Sequence, residues 1–219
     1  AACMAALMTS DYDDTDRLAI EISECQHMGI DVLPPDVNES FVEFAVLPGD
    51  DGQVSPKAPI RFGMNAIKNV GTGAVEEILR ARDEHGRFSD IEHFLSVVNC
   101  RIVNRKTMES LIKAGAFDRF GERSQLLHNL DTMIAYAAKL QKQASSGQTD
   151  LFGNSIDEVS AKPQLILEPA ATVYTPREQL LWERELLGLY LSQHPLSMYE
   201  LFLKEQTMPL AELVPEHDG

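Results

Sequence analysis

Residues 62–88 set two apolar stretches of helical spacing on either side of a short turn, Asn69-Val70-Gly71-Thr72-Gly73, and the second stretch carries Arg80 and Arg82 near its end. A turn this short makes the two helices immediate neighbours. Gly71 and Gly73 are expected to adopt conformations costly for other residues and to leave no Cβ between their amides and a ligand. Those amides stand at the start of the next helix. Unpaired N–H groups and the positive end of the helix dipole coincide there, so a phosphate oxygen can be held without any base being read. Lys68 adds a charge beside them. A helical pair whose turn happens to use glycine fits the same residues.

The residues after the turn favour the phosphate-binding layout. Val75, Ile78, Leu79 and Arg82 recur at helical spacing, with Ala74, Ile78 and Ala81 adjoining, so one side packs while Arg80 stays near solvent. Gly86 breaks the helix. Ser89 with Glu92 three residues on reads as a capping box, and Phe88 is placed to staple against Ile91, Phe94 and Leu95. Helix, hairpin, helix and supporting helix, in that order, are the layout of a helix-hairpin-helix binder of the DNA backbone. A degenerate second copy comes next, with a helix over 104–114 (Met108, Leu111 and Ile112 apolar), a turn over 115–121 and one long amphipathic helix over 122–143. Its neighbourhood is more basic, with Arg101, Arg105, Lys106, Lys113, Arg119 and Arg123. The DNA-binding candidates are therefore Lys68, Asn69, Val70, Gly71, Thr72 and Gly73 from the first copy and Lys113, Gly115, Arg119, Gly121 and Arg123 from the second. For the second set, a solvated basic face is the plain alternative.

The net charge of −15 argues against nucleic-acid binding, which is driven by Lys and Arg displacing counterions. Its distribution answers part of that objection. Residues 60–125 hold 11 Lys and Arg against 9 Asp and Glu, and the flanks hold 8 against 25. A net of plus 2 is small, and the chain alone is expected to bind DNA weakly at physiological salt. At 219 residues and 44% hydrophobic, the chain can bury a real core. It has no run of about 18 apolar residues, which excludes a membrane-spanning helix. Cys3, Cys25 and Cys100 are odd in number and far apart, which fits a reducing cytoplasm and neither a disulfide framework nor a Cys-x-x-Cys metal site.

The fold class expected is mainly α, with a small β element in the N-terminal third. Residues 1–8 read as a helix from within a larger protein rather than a signal peptide. Residues 9–16 are rich in capping side chains and lead into a helix with Leu18, Ile22 and Cys25 on one face, ended by Gly29. Asp11, Asp13 and Asp14 invite a calcium reading, but a calcium loop needs a glycine at its turn and a Glu where Ile22 stands, so no metal site is assigned. Short strands are expected at 30–33, 41–47 and 60–62. Residues 144–163 lose periodicity and read as a linker. The isolated Leu151-Phe152 pair within it either folds back onto the domain or inserts into a partner's pocket. Thr175, Pro176 and Glu178 open a further helix through Trp182, Leu186 and Tyr190, stopping before His194.

Taken together these residues resemble the bacterial replicative polymerases of family C, the alpha subunits of DNA polymerase III. The resemblance rests on Leu33-Pro34-Pro35-Asp36-Val37-Asn38 with Ser40 and Phe41, on Ile60, Phe62 and Gly63, and on Ala66, Ile67, Lys68, Val70 and Gly71. It continues through Leu111, Ile112, Gly115, Ala116, Phe117 and Asp118, residues 148–153, and Leu187, Gly188, Tyr190, His194, Pro195 and Leu196. It implies the end of a fingers region over 1–59, a tandem helix-hairpin-helix domain over 60–143, a linker over 144–174, and over 175–219 a helical lead into an oligonucleotide-binding fold. Gln148, Thr149, Asp150, Leu151 and Phe152 resemble the pentapeptide by which replication proteins dock on the bacterial sliding clamp. The implied partners are double-stranded DNA, the clamp and, through the parent protein, other replisome subunits. In this family the carboxylates that hold the catalytic Mg2+ lie in a palm domain upstream, so this segment is expected to hold no cofactor and not to polymerise. Two other classes remain: a free-standing helix-hairpin-helix repair or recombination protein, and an enzyme with its own centre at Asp11 to Asp16.

Overall fold

The computed structural model describes residues 1–49, 51–146 and 163–191. The pentapeptide Gln148 to Phe152, and His194, Pro195 and Leu196, lie outside the described residues.

The N-terminal helices α1 (Ala2–Ser10) and α2 (Thr15–His27) are joined by the acidic turn. Asp14 caps α2 by accepting from the Arg17 amide, and the Asp11 carboxylate pairs with the Arg17 guanidinium at 3.0 Å. These carboxylates start a helix. Leu18, Ile22 and Cys25 are buried as the spacing requires, and Gly29 ends the run at φ +71°.

Three two-residue strands, β1 (Val32–Leu33), β2 (Ala45–Val46) and β3 (Ile60–Arg61), form one sheet in the order β1-β3-β2. β1 lies parallel to β3, with Val32 opposite Ile60, and β2 antiparallel, with Ala45 opposite Arg61. The strand expected over 41–47 is reduced to its second half. Its first half gives its carbonyls elsewhere: Phe41 O accepts from the Met64 amide and Val42 O from the Asn65 amide. Between β1 and β2 the turn at 36–40 is held by buried polar groups. Ser40 Oγ donates to Phe62 O at 2.8 Å, and the Asn38 amide group exchanges two bonds with the Phe88 backbone, at 2.9 and 2.8 Å.

The helical remainder is α3 (Thr72–His85), α4 (Ile91–Val97), α5 (Arg105–Lys113), α6 (Arg123–His128), α7 (Leu130–Ser146) and α8 (Pro176–Leu187). Four details differ from the sequence reading. The element leading into the first hairpin is one 3-10 turn, Met64–Ala66, because the chain enters it extended at Gly63 and leaves it extended at Ile67. The cap of α4 is Asp90, not Ser89; the Asp90 carboxylate takes the His93 amide, and His93 Nδ1 accepts the Ser89 N–H. The long helix over 122–143 is broken at buried Asn129, whose side chain accepts from the Glu168 amide and donates to Glu168 O, both at 2.8 Å. Finally, Gly188 at φ +81° stops α8 at Leu187, so Tyr190 lies beyond the helix. The Thr175–Glu178 capping box forms as expected.

Phe62, Phe94 and Phe117 are fully buried, and edge-to-face contacts chain Phe88 to Phe94 to Phe117 at 4.9 Å centroid spacing. One apolar cluster runs from Met4 and Met8 of α1 to Leu186 and Leu187 of α8. Residues on both sides of the hairpins therefore share their core. Among the described residues no helix is long and apolar enough to cross a membrane.

Candidate nucleic-acid interface

In the first hairpin the left-handed residue is Asn69, at φ +68°, rather than a glycine. Asn enters this region more readily than most side-chain-bearing residues; here it is held by tertiary bonds, its Nδ2 reaching Ser110 Oγ of α5 at 3.4 Å and Asn69 O accepting from Thr107 Oγ1 at 3.5 Å. Gly71 is the N-cap of α3 in an ordinary extended conformation, φ −82° and ψ 155°, and Gly73 lies in the first turn. The expectation that these glycines turn the chain through unusual angles is therefore corrected. What they provide is clearance, because a Cβ added at either would meet nothing within 4 Å.

The amides behave accordingly. Ala74 and Val75 both donate to Gly71 O, and Val70 donates to Ile67 O. Those of Gly71, Thr72 and Gly73 meet no acceptor among the described residues, and no side chain caps α3. All three residues are exposed. Lys68 is exposed with no ion pair among the described residues, and its own amide donates to Leu186 O of α8 at 2.9 Å. Val70 is buried and anchors the hairpin.

The second hairpin is built differently. α5 ends in paired bonds from Gly115 N–H to Ile112 O and from Ala116 N–H to Leu111 O, a Schellman closure that sets Gly115 at φ +87°. Here the glycine is required, and it is buried under Arg123. Arg123 is only 7% exposed; it pairs with Asp118 at 2.7 Å and Glu183 at 3.4 Å and donates to Lys113 O at 3.1 Å. Gly121 is half-buried, and α6 is capped by Glu122, whose carboxylate accepts the Ser124 amide where an incoming phosphate would have to sit.

The other second-copy cations expected to reach DNA are also engaged. Lys113 pairs with Glu109 at 2.7 Å and stands over the Trp182 ring. Arg119 pairs with Asp36 and Glu39, and Arg61 and Arg87 converge on the same Glu39. Burial alone would raise the Glu39 carboxyl, but these guanidiniums hold it below the usual carboxylate range. In α3, Arg80 is bound between Glu77 and Glu84, while Arg82 donates to Ser40 O at 2.8 Å over the Phe41 ring. Arg101 and Lys106 remain exposed, with no ion pair among the described residues.

A helix-hairpin-helix motif family matches residues 29–126. Over 216 residues, 96% of the chain, the sequence is 39% identical to a DNA polymerase III subunit alpha of Saccharopolyspora erythraea, and over 200 residues 40% identical to that of Deinococcus radiodurans. It is 37% identical to the Escherichia coli protein of the same name over 90% of the chain. The chain belongs to the DNA polymerase III alpha subunit family. It spans 17%, 14% and 16% of the length of these three relatives.

Within this alpha-subunit segment the motif match begins at residue 29 and so includes the small sheet. The structure gives a reason: Val37 N–H donates to Ala116 O of the second hairpin, and Asn38 is tied to Phe88 behind the first. Reading the sequence for DNA contacts missed Asn38, Glu39 and Ser40. Asn38 and Ser40 entered only through the family resemblance, and the local signal was three polar residues between apolar Val37 and Phe41, shortly after a Pro-Pro break.

Proposed function

We propose that this chain is the part of a bacterial replicative DNA polymerase that holds duplex DNA by its backbone and docks on the sliding clamp, while DNA synthesis belongs to the parent protein and its Mg2+ site. The observation that carries the DNA half is the N-terminus of α3, where the amides of Gly71, Thr72 and Gly73 are unpaired under open space, with Lys68 adjacent. A phosphate oxygen seated there would take charge-favoured bonds from the backbone with no side chain to reorganise. The contact set is narrower than sequence alone indicates. Lys113, Arg119 and Arg123 serve the fold, and Lys68 with Gly71 to Gly73 forms the DNA contact.

The test is duplex binding by the 219-residue chain. Binding is expected to show no sequence preference and to weaken with salt, with a log-log slope of about −0.9 for each phosphate contacted. Gly71→Val should reduce affinity by roughly tenfold, the loss of about one charge-assisted contact, with an unchanged unfolding midpoint, since the added side chain enters free space. Wild-type affinity in that variant would move the contact off the hairpin.

The clamp half rests on the sequence of Gln148, Thr149, Asp150, Leu151 and Phe152. A tethered peptide of this kind raises the effective concentration of the enzyme on DNA without new catalytic contacts. Leu151→Ala combined with Phe152→Ala is expected to abolish binding to a bacterial sliding clamp in a pull-down or titration while leaving duplex affinity intact. Undiminished clamp binding by the double variant would refute this half alone.

A further inference from the structure

We propose that α8 positions the DNA contact from across the linker: the Leu186 carbonyl, seated by Gly188 and Glu183, fixes the backbone at Lys68 and with it the free amides of the first hairpin. This rests on the DNA-holding reading above and adds what holds that contact in place. A helix leaves its last carbonyls without partners of its own. In α8 one of them, Leu186 O, accepts the Lys68 N–H at 2.9 Å. Among the described residues it is the only backbone bond joining residues 67–71 to anything but the flanking 3-10 turn and α3. The ties from Asn69 to α5 run through side chains and are longer, at 3.4 and 3.5 Å.

Leu186 is itself fixed from three directions. Gly188, at φ +81°, ends α8 against the first residue of α2: a Cβ there would overlap Thr15 Cγ2 and stand 2.7 Å from Thr15 Cβ. Glycine is required at this point both by its angle and by the close approach. Glu183, one turn before Leu186, is buried, paired with Arg123 at 3.4 Å and bonded to the Leu191 amide at 3.2 Å. Leu186, Leu187 and Leu189 are all buried in the common core. A contact made by backbone amides has no side chain that can adapt, so its strength depends on those amides already standing where a phosphate needs them. Leu186 and Gly188 are therefore positioning residues, acting on DNA through the Lys68 backbone.

The experiment uses the 219-residue chain, in duplex titrations at several salt concentrations well below the unfolding midpoint and in amide exchange with and without saturating duplex. Gly188→Ala pushes the end of α8 off Thr15 and is expected to weaken duplex binding about fivefold, the net scale of one hydrogen bond. Its salt slope should match the parent's, because no phosphate contact is deleted. The control is Ile91→Ala, a buried position in α4, which packs on α7. It should lower the unfolding midpoint and bind duplex as the parent chain does. Coupling between two sites is reciprocal, so duplex should slow exchange across α8 of the unmodified chain by up to about fivefold beyond the slowing in α4. That measurement decides alone if Gly188→Ala does not fold. A Gly188→Ala chain that binds like the control, or α8 amides slowed no more than those of α4, overturns the inference. If Gly71→Val still weakens binding in the same assay, the hairpin reading survives that failure. If Gly71→Val has no effect, both fall together.

Discussion

Replacing Arg123 by methionine is expected to cost about 3 kcal/mol of folding stability, the scale seen when one partner of a buried ion pair is removed. The guanidinium is 7% exposed and Glu183 1%, so the variant removes a charge partner from a carboxylate in the interior. Burial works against the charged arginine, yet its bonds to Asp118 and its attraction to Glu183 keep its pKa above the ordinary value. The cost falls at the lower end of the buried-pair range for two reasons. Asp118 is half-exposed and regains water, and Glu183 keeps the Leu191 amide at 3.2 Å. The second half of the prediction separates charge from packing: Arg123→Met with Glu183→Leu should recover most of the loss, because an apolar pair of similar volume avoids the desolvation cost altogether. Denaturant midpoints of the two single variants and the double variant measure the coupling directly. A double variant as unstable as the sum of the singles would show that the network contributes through its links to Lys113 O and Leu191 N rather than through the charge pair.

That network also shows where sequence reading stops. The helices were legible because their apolar spacing, caps and stops are local: Asp14 and Thr175 cap, Gly29 and Gly86 stop, and Val75, Ile78 and Ala81 face inward. The breaks decided by tertiary bonds were not. Asn129 sits in an unbroken amphipathic pattern, and besides a local bond to Gln125 O its side chain is held by Glu168, 39 residues away, where the helix parts. The same holds for charge. Arg119 and Arg123 read as DNA contacts because their local sequence is basic, whereas Asp36 lies 83 residues from Arg119 and Glu183 60 from Arg123. Two partners were local: Glu109, four residues before Lys113, and Asp118, five before Arg123. Glycine was legible as a signal but not as a mechanism, since the same residue type serves the two hairpins for opposite reasons.

Those opposite reasons predict opposite responses to one added methyl group. Gly115→Ala is expected to lose about 3 kcal/mol: roughly 1–2 for holding a side-chain-bearing residue in the left-handed region, and the rest for pushing Arg123 out of its ion pairs. The new Cβ would stand inside van der Waals contact of the Arg123 guanidinium and 3.0 Å from Asp118 Oδ2. An exposed arginine would swing aside at little cost; this one is held on three sides by Asp118, Glu183 and Lys113 O. For a chain of this size the thermal midpoint should fall by roughly 6–12 °C. Gly71→Ala should leave the midpoint within about 2 °C, because φ −82° suits alanine, the site is open, and the entropy removed from the unfolded chain offsets the weaker N-cap. Its cost should appear instead in duplex affinity, where even one methyl group intrudes on the space above the free amides. If both substitutions lowered the midpoint equally, the assignment of the second glycine to the fold and the first to the ligand would not stand.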